Sequence, residues 1–252
     1  FLVCLDVTSG DRLWQTEVDP AFENAMGNGP RATPTIADQA AYAFTGSGNL
    51  VAVNLEDGRL LWKTEMKAAV GGQPAEYGNA SSPLVTGESV IVQFDGRSCS
   101  VVSCDRATGA IQWQSGTGTA GYSSPALLTL DGKVQVVAFT GSDVLGIDPS
   151  TGTALWTHPF KTEYDCNTVT PIALSETQLL ISAGENHGSE ILEVTNTADA
   201  VDVRSVWTSF GKGSVLRAEW QTPVLIDGHL YGLDNVGSAG PITNLVCVRL
   251  SD

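Results

Sequence analysis

The chain has 252 residues, 42% of them hydrophobic, with 27 Gly and 11 Pro; that balance supports a real core but interrupts it too often for long helices. A formal net charge of −15 argues against nucleic acid or an anionic membrane surface as partner, because like charges repel. No apolar run reaches transmembrane length, and the five cysteines, Cys4, Cys99, Cys104, Cys166 and Cys247, are too odd a number to pair completely within the chain.

The first predicted element is a strand, LVCL, running into LDVTSGDRLW at Leu5–Trp14. The same ten-residue pattern returns as VNLEDGRLLW at Val53–Trp62, CDRATGAIQW at Cys104–Trp113 and IDPSTGTALW at Ile147–Trp156. The shared form is Asp/Asn-x-x-x-Gly-x-x-x-Trp, anchored at Asp6–Gly10–Trp14, Asn54–Gly58–Trp62, Asp105–Gly109–Trp113 and Asp148–Gly152–Trp156. The tryptophans are 48, 51 and 43 residues apart, the period of propeller blades. Apolar residues before each Asp or Asn read as one strand. Gly makes the turn because it accepts positive φ at little cost, and the Asp or Asn side chain ties the turn to its own backbone. The second strand ends on Trp, a ring suited to packing against the neighbouring blade. Cys99 and Cys104 are placed to pair across one such hairpin, although the spacing does not demand it.

A second recurring element is Ser/Thr-Pro, at Thr33-Pro34, Ser82-Pro83, Ser124-Pro125, Thr170-Pro171 and Thr222-Pro223. Each precedes a short apolar strand and then a longer one, such as AAYAFTG, SVIVQF, VQVVAFTG, QLLISAG or HLYGLD. The unit is therefore four strands: A, started by Pro where a missing N–H matters least, then B, then C and D around the Gly turn. The segment ILEVTNTADAVDVRSVW keeps Trp207 but has no Gly four residues before it, which predicts a longer, looser C–D turn. The expected fold class is an all-β propeller of four-stranded antiparallel blades in a single domain. Whole blades are expected over 31–66, 78–116, 121–160 and 166–210, with part-blades at 1–19 and 219–252. Both part-blades offer strand C, which favours a piece of a larger propeller over a five-bladed closure. The chain begins FLVCLD without Met, so the lack of a visible signal peptide carries little weight.

The repeats LDVTSGDRLW and IDPSTGTALW resemble the pyrroloquinoline-quinone (PQQ)-type propeller repeat, and the resemblance covers nearly the whole chain. WQTEVDPAFENAMGNGPRATPTI and GYSSPALL are similar to exported bacterial propellers of this superfamily, often named after the outer-membrane barrel-assembly lipoprotein of similar fold. The resemblance implies seven or eight blades in a complete protein, and export to the periplasm. True quinoprotein alcohol dehydrogenases of the superfamily hold PQQ between a Trp floor and an adjacent-Cys disulfide, with Ca²⁺ on Glu, Asn and Asp. This sequence has no Cys-Cys pair and no stretch matching those metal-site motifs. No catalytic or metal residue is carried over, and no cofactor is expected unless further blades bring PQQ and Ca²⁺.

Other motifs are weak. Gly116, Gly118 and Gly121 fit G-x-G-x-x-G but lead into a strand, where the dinucleotide fingerprint needs a helix. None of His158, His187 and His229 has a second His or Cys at zinc-ligand spacing. Glu185, Asn186 and His187, with Glu190 close by, fall on a B–C loop; they read as a solvated loop first, and as a cation or acid–base site second. The residue three before each Ser/Thr-Pro proline gives Arg31, Ala80, Tyr122, Thr168 and Trp220. Equivalent blade positions should share one face, and Arg, Tyr and Trp dominate binding hot spots; packing at blade junctions is the competing role. Tyr77, Asn79, Asn167 and Glu219 on D–A loops, and Asp95, Asp143 and Asn235 after strand B, join them as candidates. The first functional expectation is an exported, non-enzymatic scaffold that binds a protein or small molecule through this face. The alternatives are a PQQ-dependent alcohol or sugar dehydrogenase and the sensor domain of a signalling protein.

Overall fold

The computed structural model describes residues 1–198, 200–237 and 242–251. They form two units, Phe1–Ala120 and Gly121–Asp252. In the first, β1 (Leu2–Leu5) and β2 (Arg12–Thr16) pair alone. Two four-stranded sheets follow: β3 (Thr35–Ala37), β4 (Ala40–Phe44), β5 (Asn49–Asn54) and β6 (Leu60–Glu65), then β7 (Leu84–Thr86), β8 (Ser89–Gln93), β9 (Val101–Asp105) and β10 (Ile111–Ser115). A short helix, α1 (Met66–Val70), follows β6.

The second unit repeats the plan. One sheet has β11 (Ala126–Leu130), β12 (Lys133–Phe139), β13 (Asp143–Ile147) and β14 (Ala154–Pro159). The next has β15 (Ile172–Ala173), β16 (Gln178–Ala183), β17 (Gly188–Asn196) and β18 (Val201–Phe210). The last has β19 (Val224–Ile226), β20 (His229–Val236) and β21 (Ile242–Arg249). Every sheet is antiparallel with neighbouring strands consecutive in sequence, as short hairpin connections require. These are propeller blades, and the four whole ones are called blades I to IV below.

Strands B and C are buried along most of their length, as in β5, β8, β9, β12, β13 and β16, whereas strand D alternates. Buried on both faces, B and C read as continuous apolar runs. Core clusters lie between sheets. Tyr42, Phe44, Leu50 and Trp62 of blade I meet Val92, Phe94 and Val102 of blade II. Phe139, Val144, Trp156 and Phe160 meet Leu179, Ile181 and Leu192 of blade IV.

Strand A begins one residue after each proline, at Thr35, Leu84, Ala126, Ile172 and Val224, so Pro sits just outside the ladder. The Ser/Thr partner has its own use. The Thr33 N–H donates to Ser82 Oγ at 3.0 Å, and the Thr170 N–H to Thr222 Oγ1 at 3.3 Å. The dipeptide thus links strand A of one blade to strand A of the next.

The C–D hairpins follow the sequence closely. Asp6, Asn54, Asp105 and Asp148 each accept two backbone N–H bonds on Oδ1 from residues two and three ahead, at 2.8–3.3 Å. Gly10, Gly58, Gly109 and Gly152 have φ of +77°, +73°, +74° and +74°. Trp14 Nε1 donates to the Leu55 carbonyl at 2.8 Å, and Trp62 Nε1 to the Arg106 carbonyl at 3.0 Å. In both cases the ring docks on the hairpin turn of the next blade.

Trp156 departs from that pattern. Blade IV has no glycine turn to receive its N–H, which goes instead to Gln135 Oε1 of its own sheet at 2.6 Å. The ring still shares the apolar core with Leu179 and Leu192. The blade IV hairpin also corrects the expectation of a loose turn. β17 and β18 pair from Gly188↔Phe210 to Asn196↔Val201 with one register shift between Ile191 and Leu192, and the Thr197 N–H closes on the Ala200 carbonyl at 2.8 Å; Asp199 lies outside the described residues. Asn196 anchors it by donating to the Leu130 and Asp131 carbonyls at 3.0 and 2.8 Å. Length and an inter-blade anchor replace the glycine. All five cysteines are free, including Cys99 and Cys104, both buried.

Candidate functional site

The positions three before each proline lie on D–A loops, and most are held at blade junctions. Arg31 donates to the carbonyls of Tyr77, Gly29 (2.8 Å) and Gly27 (2.7 Å), and its guanidinium stacks over Phe22 at 4.7 Å. Three donors and the cation–π face are therefore in use. The Tyr122 N–H donates to the Asn167 carbonyl at 2.9 Å, and Thr168 Oγ1 to the Glu219 carbonyl. Ala80 is half-buried. Trp220 differs: it is 61% exposed.

One residue earlier sits a second series. Asn79, buried, donates Nδ2 to the Gly46 carbonyl at 3.0 Å. Asn167, fully buried, donates Nδ2 to the Thr140 carbonyl at 2.7 Å and reaches those of Gly141 and Phe160 at 3.3 Å, while Thr162 donates to its Oδ1. Gly46 and Gly141 belong to the turn that follows strand B. Each carboxamide braces a D–A loop against that turn, satisfying carbonyls that the sheet leaves open. Glu219 occupies the same place over Gly184. It is buried, and a Cβ on Gly184 would fall within 2.3 Å of its Oε2.

The turn from Gly184 to Gly188 carries Glu185, Asn186 and His187. Glu185 and Asn186 are both left-handed, at φ +51° and +62°, a strained choice for consecutive non-glycine residues. The His187 N–H donates to the Gly184 carbonyl at 2.8 Å, the Gly211 N–H to the His187 carbonyl at 2.7 Å, and the Gly237 N–H to Asn186 Oδ1 at 3.2 Å. The segment closes on itself and is tied to two other segments, at Gly211 and Gly237, so it is not a freely solvated loop. The His187 ring lies between Phe160 and Phe210, with centroids 4.7 and 5.4 Å away. Burial lowers its pKa, against the opposing pull of Glu190. Glu190 itself meets His158 across blades III and IV, 3.1 Å from Nε2, so it does not join Glu185 and Asn186 in a ligand set.

The remaining candidates are structural in setting. Half-buried Tyr77 presents its carbonyl to Arg31. The Asp95 carbonyl receives the Gln73 N–H at 3.0 Å, and Asp143 Oδ2 receives Ser142 Oγ at 2.5 Å. The Asn235 N–H donates to the Arg217 carbonyl at 2.9 Å.

Sequence reasoning passed over several residues that shape this region. Glu163 faces Glu185 closely enough to help raise its pKa, after burial as the larger cause. Phe210 is 47% exposed beside His187. Arg217 and Asp234 form a buried two-pronged pair, Nε–Oδ1 2.8 Å and Nη2–Oδ2 2.6 Å, that fixes the loop before Glu219. A lone Arg in the apolar stretch SVLRAEW was the one available signal for that pair.

Among the described residues, no three His, Cys, Asp or Glu side chains converge to hold a metal. All five cysteines are free, and no two are adjacent in the sequence. Among the described residues, no helix is long and apolar enough to cross a membrane.

The repeated hairpins, the docked tryptophans and the antiparallel blades define a β-propeller of the PQQ-like repeat superfamily. The family model described as outer membrane protein assembly factor BamB matches residues 2–251, and the chain belongs to that family. BamB of Shewanella oneidensis is 26% identical over 255 residues, covering 91% of this chain and 58% of the relative. This chain therefore spans little more than half of that protein's length. Among solved structures, BamB from Moraxella catarrhalis superposes with TM-score 0.57 and 19% identity, over 87% of this chain and 58% of that one. Quinohemoprotein alcohol dehydrogenase from Comamonas testosteroni superposes with TM-score 0.64 and 14% identity, over 95% and 49%. At such identities the likeness is one of fold.

Proposed function

We propose that the chain is part of an exported, non-enzymatic propeller that binds a protein partner through its D–A and B–C loops. Membership of a family described as an outer membrane protein assembly factor supports the export and the protein partner. The observation that carries the choice of face is Trp220. At the blade position where Arg31 and Thr168 are bound to the next loop, Trp220 is 61% exposed. A large exposed ring on a tethered loop is the residue type that anchors interfaces. Exposed Tyr164 lies on the same class of loop and exposed Phe210 ends the strand that leads into the Trp220 loop, and the acidic surface favours a partner with basic side chains at the rim.

The test is site-specific photo-crosslinking from position 220 in the full-length protein, in the producing cell, followed by fractionation. A discrete periplasmic adduct, absent when the crosslinker replaces exposed Val134, is expected. Equal, diffuse labelling from both positions would overturn this choice of face.

A further inference from the structure

Asn79 and Asn167 show what the residue at the fourth position before the Ser/Thr-Pro proline does. Each lies buried over the turn after strand B and donates a side-chain N–H to a carbonyl there. Glu219 sits at the same position over the equivalent turn at Gly184, and it is equally buried. A carboxylate has no hydrogen to donate; a carboxylic acid has one. In the structure Glu219 Oε2 is fully enclosed and has no hydrogen-bond partner among the described residues. A charged oxygen in that state would be costly, whereas the neutral acid is far less so. We infer that Glu219 is held as the neutral acid and works as a proton-dependent latch between the 211–222 loop and the Gly184–Gly188 turn.

The surroundings agree. Burial pushes the Glu219 pKa up to about 7, with the Glu185 carboxylate as the next cause; the Glu185 N–H pulls weakly the other way. Glu185, in the turn beneath, is itself raised by burial and by Glu163 from the loop after β14. On Glu219's own loop, Arg217 is engaged by Asp234 and is not available to neutralise it. Thr168 Oγ1, from the neighbouring loop, meets the Glu219 backbone carbonyl and leaves the carboxyl alone. Losing the proton places a charge in an enclosed site against Glu185, so the latch should open where Trp220 adjoins it. The inference is independent of whether Trp220 binds a partner.

The sign of the effect follows from linkage. The folded value lies above the ordinary 4.5, so the latch stabilises fully below that value and is lost as pH rises through about 7. The direct test is a carboxyl ¹³C titration of the Glu side chains in the full-length protein from pH 4 to 9. One Glu should titrate near 7, with the Glu185 amide shift following the same curve in the wild type. That carboxyl resonance should be missing from E219Q. Melting temperature should fall between pH 6 and 8 in the wild type and stay flatter in E219Q, whose amide keeps a donor at every pH. If every Glu titrates below about 5.5, or both melting curves fall in parallel, the inference is overturned. A crosslinking failure at position 220 would leave these readouts unaffected.

Discussion

Trp62 lies so close over Gly109 that a Cβ at position 109 would come within 2.6 Å of the indole ring, while Trp62 Nε1 holds the Arg106 carbonyl of the same turn at 3.0 Å. Trp14 stands in the same relation to Gly58, at 2.7 Å. The glycine therefore answers two demands, a left-handed backbone and a seat for the preceding blade's ring. Gly10 meets only the first, since nothing lies within 4 Å of a Cβ there.

Gly109→Ala should consequently cost more than Gly10→Ala. Strain at positive φ is worth about 1–3 kcal/mol, and forcing the indole aside adds about 1–3 kcal/mol. Gly10→Ala should show the first contribution alone. Urea unfolding of both variants measures the difference; equal losses would mean that the Trp62 seat contributes nothing.

Arg31 and Trp220 share a blade position but not a role. Arg31→Ala should lower stability by about 2–3 kcal/mol, because three carbonyls lose a charged donor. Arg31→Lys should not recover it fully, since an ammonium cannot reproduce the fork. Trp220→Ala should stay within about 0.5 kcal/mol, as exposed substitutions do. Calorimetric melting of the three variants separates structural brace from exposed ring.

The hairpin carboxylates set an acid limit. Hydrogen bonds from the turn lower the pKa of Asp6, Asp105 and Asp148; the backbone N–H of Ser9 leads for Asp6, the Thr108 hydroxyl for Asp105 and the Ser150 hydroxyl for Asp148. Lowered folded values mean that the clamps stabilise fully above the ordinary carboxylate range and are lost as pH falls through it. Asp105→Asn should keep part of the clamp at pH 3, since Asn54 serves one hairpin in that way. The wild-type and D105N melting curves should therefore converge as pH falls from 6 to 3, and curves that stay a constant distance apart would refute this.

The candidate site was much less legible than the hairpins. Asp105, Gly109 and Trp113 stand within nine residues of one another, as in every copy of the repeat, so their pattern survives in the string. Asn167 works by reaching carbonyls at Thr140 and Phe160, and Glu219 by lying on Gly184; no local pattern marks such pairs. His187 and Glu190 look like partners in sequence, yet the ring enters the Phe160–Phe210 cluster and Glu190 turns to His158. Trp156 shows the limit of repeat logic, because its N–H partner depended on a glycine that the next blade lacks.

By itself, then, the sequence determined the blade: strand order, turn positions and the proline start of strand A; it placed the tryptophan on strand D but ended the strand there, whereas β2, β6, β10, β14 and β18 all run two or three residues past it. These follow from backbone preferences and hydrogen bonds that close over a few residues. Only the tertiary structure decided which polar side chains brace and which remain outward. That choice turns on contacts 26 to 51 residues apart in the chain, such as Asn167 with Gly141 and Thr168 with Glu219. It is why Arg31 and Trp220, equal in the repeat, differ in the fold, and why Glu219 came to occupy a place built for an amide.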